Sequence, residues 1–415
     1  MKLHHLLFGT TCALALAACS PQEGGTKPPT PGNGSTTING LFVCTSGNTD
    51  PRCAAPDTQK AGAIGKGAPI WQGGLYDRII GGQLVGDTLY AAVEYGGRSA
   101  ESPETNNQLG AIVGINVKTG DRTLLAGQDV LGNKKGSGHG LNGIRDVKVL
   151  PDGNFLVIVD VSSTDPTYLI KVNATTGDRT VVWTSRPNQP DSPITSGEDT
   201  CPSNAGPTSS AYTKLDWKLG VDGNAAYLTF SESPAGSGFG IAKVNLSTAK
   251  CSIVTRYLIN GESTVGSGDV IPQNTGSLAG LFLSGGKAYV NSFPNDGLME
   301  VDLQSGARRL IAARASSGKY PSRGSGEDVD HGAMLKFGQD FMISNASASE
   351  SYAKLQRVTP AGVRSAVNLV SGPASRNIQS VDQPIFTDGQ LIYMGFDHAL
   401  LAIDPSNGNS NIISQ

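Results

Sequence analysis

The chain has 415 residues, among them 54 glycines, only 6% aromatic and 16% charged residues, and its formal net charge is −3. The near-neutral charge provides no basic field for nucleic acid, so we expect no nucleic-acid partner. Many glycines beside few charged and aromatic side chains predict short strands joined by tight turns.

Residues 1–18 have the form of a secretory signal, because a basic start precedes an apolar run, Leu6–Ala18, that is too short to span a bilayer as a helix. The letters LAAC at 16–19 resemble the lipobox of bacterial lipoproteins, where the signal is cut before a cysteine that is then lipidated. The resemblance implies that Cys19 carries the acyl chains of a membrane anchor. Ser20 after it implies the outer membrane of a Gram-negative cell envelope. An ordinary signal that happens to precede a cysteine is the alternative.

Residues 19–66 are predicted to hold the lipidated cysteine, a disordered tether and a disulfide loop. The stretch from Ser20 to about Thr37 has almost nothing apolar to bury, so it cannot offset the entropy cost of ordering. An extracytoplasmic location favours disulfides, and four cysteines outside the signal and anchor allow three pairings. They are Cys44, Cys53, Cys201 and Cys251. The first two bracket a turn-rich loop, so a local bridge is the simplest pairing and leaves the other two together. No CxxC pair or nearby histidine supports a metal site at these cysteines.

A short turn motif, typified by TTGDRTVV at 175–182, recurs six times along the chain. Its glycine falls at Gly120, Gly177, Gly306, Gly362 and Gly408, with Ala249 in the third copy. Four positions earlier stands an Asn or Asp in every copy except the one with Val358. An Asx side chain bonds to the backbone as a turn begins, and glycine takes the positive φ that closes it. Each copy therefore predicts a hairpin.

Upstream of each hairpin lies a second strand, turn and strand, as in 144–160, with a turn such as PDG, VDG or TDG. Each period thus holds four antiparallel strands. Four strands repeated six times are typical of a β-propeller, in which each blade packs on the next. We therefore predict an all-β, six-bladed β-propeller over 67–415. A solenoid is the alternative, but its helical or ladder patterns are absent from the sequence.

The order of Gly-Ser-Gly, a strand pair with a PDG-type turn, an apolar strand ending in VN or VD, and TGxRT resembles NHL-repeat and gluconolactonase-like propellers of secreted bacterial proteins. The resemblance covers nearly all of 77–415. It implies the fold, whereas propellers serve hydrolases, lyases, binding modules and scaffolds alike. Gluconolactonase-like enzymes bind a metal through a Glu of the first inner strand, but DRIIGGQL here offers none. We interpret TGDRT itself as structural, with its Arg and Thr on the outer surface of the blade.

Loops that lead into the inner strands of a propeller are expected to meet at a common mouth, which makes their titratable residues the candidate site. Those that follow Ser-Gly pairs are His139, Glu198, Asp199, Asp269, Glu327, Asp328, Asp330 and His331. The residues predicted to line the channel below are Arg145, Asp146, Asp330 and Asp382.

Three interpretations of this set remain open. The acids are ordinary solvated residues on flexible connectors; or Glu198, Asp269, Glu327 and Asp328 are oxygen ligands for Ca²⁺; or His139 or His331 is a general base beside a carboxylate or a metal.

Two functions of different classes follow from these interpretations. The preferred one is a membrane-anchored, extracytoplasmic propeller that acts as a binding or scaffold module for a protein or glycan partner. The alternative is a divalent-metal-dependent hydrolase or lyase of the gluconolactonase-like type, acting on a sugar lactone or ester. No GxSxG, HExxH or Walker sequence occurs in the chain, so the sequence leaves open whether the protein is an enzyme.

Overall fold

A computed structural model shows an almost entirely β protein, with Thr37–Gln415 forming one compact unit. Among the residues that it describes, no helix is long and apolar enough to cross a membrane. The described residues are 37–45, 48–54, 64–70, 78–95, 109–160, 166–185, 213–232, 238–258, 263–270, 277–293, 297–313, 323–326, 332–344, 355–369, 372–373, 384–395 and 399–415.

The strands follow one another along the chain in one small hairpin and six larger sheets. The hairpin is β1 (Thr37–Ile38) and β2 (Leu41–Phe42), followed by a single 3-10 turn at Pro51–Cys53. Blade 1 contains β3 (Arg78–Val85), β4 (Thr88–Tyr95), β5 (Leu109–Asn116), β6 (Arg122–Gln128) and β7 (Lys134–Lys135). Blade 2 contains β8 (Ile144–Val149), β9 (Phe155–Val159), β10 (Tyr168–Val172) and β11 (Arg179–Thr184). Blade 3 contains β12 (Thr213–Asp222), β13 (Ala225–Glu232), β14 (Gly238–Asn245), β15 (Cys251–Leu258) and β16 (Ser263–Val265).

The second half of the chain forms three more sheets of the same kind. Blade 4 contains β17 (Ser277–Ser284), β18 (Lys287–Phe293), β19 (Gly297–Asp302) and β20 (Arg308–Ala313). Blade 5 contains β21 (Ser325–Gly326), β22 (Met334–Phe337), β23 (Asp340–Ser344), β24 (Leu355–Val358) and β25 (Val363–Val367). Blade 6 contains β26 (Ile385–Thr387), β27 (Ile392–Gly395), β28 (Leu400–Ile403) and β29 (Ser410–Ser414).

Each blade is an antiparallel meander of four strands in chain order, and the predicted six-bladed propeller is confirmed. Blades 1, 3 and 5 carry a short fifth strand at the outer edge, which the sequence did not predict. The inner strands β3, β8, β12, β17, β22 and β26 contact one another in that order, and β26 contacts β3. The ring therefore closes by packing of the last blade on the first, and each four-stranded meander comes from one continuous stretch of chain.

The hydrophobic core lies between neighbouring blades. In β9 every side chain from Phe155 to Val159 is buried, because both faces of this strand are covered by protein. Ile158 packs in one cluster with Leu228 of blade 3, while Val157 belongs to a cluster shared with blade 1. A strand with one buried face has alternating apolar and polar residues. β9, which is covered on both faces, has a continuous apolar run instead.

The two ends of the ring differ in the length of their connections. At one end, the first strand of each blade turns into the second and the third into the fourth through short turns, such as 86–87 and 285–286. At the other end, the second strand of each blade leads into the third, as across 96–108, and the connections between blades begin and end, as across 185–212. We call these the short-turn end and the long-connection end.

The N-terminal hairpin and the Cys44–Cys53 loop pack on the outer strand of blade 6. The Phe42 amide donates to Asn411 Oδ1 at 2.6 Å, and Asn39 Nδ2 donates to Asp404 Oδ2 at 2.8 Å. The predicted disulfide between Cys44 and Cys53 is confirmed. A segment that the sequence analysis grouped with the tether therefore forms part of the folded unit.

The seam between blades 6 and 1 is fastened by one arginine. Arg122 of β6 donates from Nη1 to Ser414 Oγ at 2.7 Å, to the Gln415 carbonyl at 3.0 Å and to the Ile64 carbonyl at 3.1 Å. The Gln415 amide in turn donates to the Ile64 carbonyl at 3.1 Å. The residues before blade 1 and those after β29 are consequently held against the same guanidinium.

The repeated turns have the geometry predicted from the sequence. Asn173 Oδ1 accepts from the Thr175 and Thr176 amides, each at 2.9 Å, and Gly177 has a φ of 78°. Positive φ is found at all six equivalent positions, including Ala249 at 54°. Gly177 also approaches the neighbouring blade, since a Cβ there would lie 2.8 Å from the Leu125 carbonyl oxygen. The turn thus makes the hairpin and contacts the preceding blade.

We predict that Gly177→Ala destabilises the protein more than Gly153→Ala does. Both glycines lie in blade 2 with nearly equal φ, 78° and 80°, but a Cβ at Gly153 meets nothing within 4 Å. Gly153→Ala should cost about 1–2 kcal/mol for left-handed backbone alone. Gly177→Ala should cost at least about 1 kcal/mol more, because the alanine methyl overlaps the adjacent blade. Urea unfolding midpoints measure both, and equal losses would show that the interblade contact is not tight.

Candidate functional site

The Gly-x-Gly segments lie against the outer strand of the blade that follows them. Gly138 forms a parallel bridge with Arg179, Gly268 with Arg308 and Gly67 with Arg122. In blade 5 the same pairing is long enough to form β21 beside β25. The chain therefore crosses the outer edge of the next blade before it reaches the inner strand. Of the expected loops, 136–140, 266–270 and 324–326 thus pair with an outer edge, whereas 195–199 and 327–331 lie outside the described residues, so the common mouth of all four stays a prediction.

The arginine of TGDRT fastens each of these segments. Arg179 donates from Nε to the His139 carbonyl at 2.6 Å and from Nη1 to the Lys135 carbonyl at 2.9 Å, so it grips the segment on both sides of Gly136–Gly138. Asp178 Oδ1 accepts from the Ser137 amide at 2.8 Å and from its hydroxyl at 2.7 Å. We call this set of contacts the interblade clasp.

Three other arginines occupy the same place in their blades: Arg122, Arg308 and Arg364. These three residues are only 5–7% exposed, so the prediction that the motif's arginine is a surface residue is wrong. Burial lowers the pKa of Arg122, Arg179 and Arg308, and backbone carbonyls replace the lost hydration. The structural interpretation of TGDRT agrees with these contacts.

Two blades have another residue in place of the clasp arginine. Ser410 stands at the arginine position in blade 6, and Cys251 stands there in blade 3. Cys251 is disulfide-bonded, whereas Cys201 lies outside the described residues, so the pairing of the two remains a prediction. That pairing would place a covalent link where other blades have the arginine.

His139 and Asp269 each follow a Gly-Ser-Gly segment and lie beside an outer strand. The Nδ1 of His139 is 2.8 Å from the Gly140 carbonyl oxygen, and its ring centroid is 4.4 Å from that of Tyr168. The exposed Asp269 accepts from the Leu310 amide at 2.8 Å and lies 3.4 Å from Arg323 Nη1. Both side chains therefore take part in contacts at the outer edge of the ring.

The other predicted site residues lie outside the described residues. They are Cys19, Glu198, Asp199, Cys201, Glu327, Asp328, Asp330, His331 and Asp382. In the described part of the chain, no group of three or more His, Cys, Asp or Glu side chains could hold a metal ion. Asp269 therefore belongs to no such group among the described residues, and the four-acid cation site stays a prediction.

Asp146 lies on the inner strand of blade 2 and joins three inner strands. It is buried, and its Oδ1 accepts from the Gly82 amide of β3 at 2.9 Å. Its Oδ2 accepts from the Leu219 amide of β12 at 3.3 Å and from Lys148 Nζ at 2.8 Å. A register shift between Ile144 and Asp146 turns the carboxylate toward these amides. The side chain stabilises the wall of the ring around its axis.

A second charged group lies at the long-connection end of blades 1 and 2. Glu94 of β4 is buried, and its carboxylate oxygens lie 3.4 Å from Arg78 Nη2 and 3.5 Å from Arg145 Nη1. Arg78 begins the inner strand β3 directly opposite Glu94, whereas Arg145 comes from the inner strand of the next blade. Of these three residues, only Arg145 was predicted from the sequence. Glu94 is the one acid in the otherwise mainly apolar strand TLYAAVEY, and this feature of the sequence could have indicated a buried charged contact.

Comparison with known proteins gives the chain no family. No protein-family model matches the sequence, and no curated protein matches it. Solved structures resemble it over most of its length, among them an auxiliary nutrient binding protein from Bacteroides thetaiotaomicron, at 12% identity and a TM-score of 0.43, covering 85% of this chain and 74% of that chain. A luciferin-regenerating enzyme has 10% identity and a TM-score of 0.41, with 82% and 91% covered.

A nidogen/laminin complex is a further similar structure, at 10% identity and a TM-score of 0.40, covering 71% of this chain and 80% of that chain. At such identities and TM-scores these similarities assign no function to this chain.

We predict that the clasp of blade 2 makes the stability of the protein depend on pH in the acidic range. The Ser137 hydroxyl, which donates to Asp178, lowers the pKa of this carboxyl from 3.8 to about 2. A carboxyl whose pKa is lower in the folded than in the unfolded state stabilises the folded protein at pH values above the unfolded pKa. This contribution is lost as the pH falls from 3.8 toward 2. Between pH 4 and pH 2, the urea midpoint should therefore fall less steeply in Asp178→Asn than in the wild type. Ser137→Ala should lie between the two, and an unchanged slope in Asp178→Asn would contradict the clasp.

Proposed function

We propose that this protein is a lipid-anchored module of the cell envelope that presents the long-connection end of its ring to a protein or glycan partner. The anchor is Cys19, and the letters LAAC followed by Ser20 favour the outer membrane. The polar tether after it, behaving as a flexible chain, reaches about 20–25 Å. The ring would thus stand clear of the lipid headgroups.

The observation that carries this proposal is the place where the chain enters the ring. Asn39, just after the tether, donates to Asp404, which lies in the short turn between β28 and β29. The first described residues therefore join the ring at its short-turn end. A ring that is tethered through this end directs its long-connection end away from the membrane.

The short-turn end suits attachment to the membrane, and the long-connection end suits recognition of a partner. The short turns are fixed by backbone and side-chain hydrogen bonds, such as those of Asn116 to the Lys118 and Thr119 amides, and leave little chain for recognition. The long connections differ in length from blade to blade, and 96–108 alone contributes acids, an arginine and several amide side chains. Recognition residues are disproportionately found on loops that a rigid scaffold positions.

Site-specific photo-crosslinking in intact cells tests the proposal. Asn142 and Asp152 are both exposed and flank the same inner strand, Asn142 at the long-connection end and Asp152 in the short turn after β8. A photoreactive residue at position 142 should form discrete adducts with an envelope protein or glycan, and the same residue at 152 should form none. Adducts at 152 alone, or none at either position, would contradict the proposal.

The anchor is tested with the same strains. Cys19→Ala should move the protein from the membrane fraction to the soluble fraction, because no acylated residue remains. The adducts at position 142 should weaken when the ring is no longer held at the membrane. A Cys19→Ala protein that stays in the membrane fraction would contradict the lipid anchor.

A further inference from the structure

A cavity of about 160 Å³ lies between blade 1 and the segment that enters blade 2. Its walls are the start of β5, the end of β6, the start of β7 and residues of the segment 136–142, and Arg179 of β11 also lines it. Because β5 begins and β6 ends at the long-connection end, the cavity lies where a partner would approach under the proposed function, on which this inference rests. Two of its lining residues, Lys134 and Asn142, are exposed, so a ligand can reach it.

The volume of the cavity limits the size of the ligand. Pockets that hold drug-sized molecules measure roughly 300–1,000 Å³. At roughly 30 Å³ for each water molecule, this cavity has space for about five waters. It therefore suits a single small residue at the end of a larger partner.

Three polar side chains that line the cavity have no contact with the rest of the protein through their polar atoms. Gln128, Lys134 and Asn142 make no side-chain hydrogen bond or ion pair within the part of the chain that the structure describes. Lys134 stands directly opposite Gln128 across β6 and β7, so these two side chains lie on the same face of the blade. The ammonium supplies three donors, and each amide supplies two donors and an acceptor oxygen.

The charge in the cavity is positive. Lys134 and Arg179 line it, and no carboxylate of the described residues does. Asp178 offsets part of the Arg179 charge, and its own carboxylate accepts from the Ser137 amide and hydroxyl. Asp129 is buried and accepts from backbone amides of its own loop. The charge of Lys134 is consequently available to a ligand.

We propose that this cavity binds one acidic sugar residue of a glycan partner. Lys134 contacts the carboxylate of the sugar, and the Gln128 and Asn142 amides hydrogen-bond to its hydroxyl groups. A simple carboxylate would leave both amides without a ligand group, and a neutral sugar would leave the Lys134 ammonium without one. Leu109 and Leu141 provide apolar contact for the C–H face of the ring.

Ligand-detected NMR titration of the full chain in detergent micelles tests the proposal with four compounds. D-glucuronate and D-galacturonate carry both a charge and hydroxyl groups, D-glucose carries hydroxyl groups alone, and acetate carries a charge alone. At least one uronate should bind about tenfold or more tightly than both glucose and acetate, because each of these lacks one set of the contacts. The affinity for the uronate should fall as NaCl is added.

Three variants locate the site. Lys134→Gln should weaken uronate binding by about tenfold or more and leave glucose binding unchanged. Asn142→Asp should weaken uronate binding by about threefold or more, because it adds a like charge beside the ligand. Lys135→Gln is the matched control, since it removes the same charge from the next residue of β7, whose side chain lies beside Gly177 and does not line the cavity. It should stay within about twofold of the wild type in salt.

Melting temperatures should be the same in Lys134→Gln and Asn142→Asp as in the wild type, because both side chains are exposed. Equal binding of the uronates and acetate would show that any carboxylate, such as that of an acidic peptide, satisfies the cavity, and would overturn the inference. Unchanged uronate binding in Lys134→Gln would overturn it as well.

The inference and the proposed function fail separately. Failure of both uronates to bind, together with adducts at position 142, would refute the acidic-sugar site alone and leave the proposed function standing. Uronate binding that responds to the variants as expected, without adducts at position 142 in cells, would retain the site and contradict the proposed function.

Discussion

The arginine at the start of an outer strand holds two blades together, and the ring depends on this contact. Neighbouring blades share no strand, so they are joined by apolar packing, which has little directional preference. Arg179 fixes how the incoming Gly-x-Gly segment lies on the blade, because its guanidinium donates directional hydrogen bonds to carbonyls on both sides of that segment. Arg122 does the same at the seam and also contacts the last residues of blade 6. The same contact recurs at Arg308 and Arg364, so four of the six blades receive the incoming chain in this way.

This constraint separates the two ends of the molecule. The TGxR turns belong to the clasps, so they are short and alike, and a Cβ at Gly120 or Gly306 would collide with the preceding blade. The second-to-third connections, such as 96–108, leave from the other end, and their lengths differ from blade to blade. The N-terminal hairpin joins the ring at the short-turn end, because Asn39 donates a hydrogen bond to Asp404 there. Under the proposed function, anchoring and recognition would fall at opposite ends of the ring.

Local features of this structure were predictable from the sequence. The Asn116 and Asn173 turns, the positive φ of their glycines and the Cys44–Cys53 bridge depend on residues close in the chain, and all three predictions are confirmed. The repeat of these turns also predicted the number of blades. A repeat shows that a residue occupies the same place in every blade, but it does not show which neighbour lies there.

The features that the sequence analysis missed are contacts between blades. Arg179 was assigned to the surface because an outer strand is usually exposed on one side, whereas the loop from blade 1 covers it. Glu94 and Arg145 meet only because two blades pack together, and neither residue belongs to a motif. The Gly-Ser-Gly loops were expected near the axis because they precede inner strands in sequence. The structure shows that the clasp draws them to the outer edge first.

Hydrogen–deuterium exchange of the unmodified full chain tests the clasps most directly. The Arg122, Arg179 and Arg308 amides donate to the Lys66, Ser137 and Ser267 carbonyls at 2.6, 2.8 and 2.8 Å. If the clasps hold the ring, these three amides exchange as slowly as those of the buried strand β9, because they open only when a blade separates from its neighbour. Exchange as fast as that of the exposed turn at 86–87 would contradict the clasps as the contacts that fasten the blades.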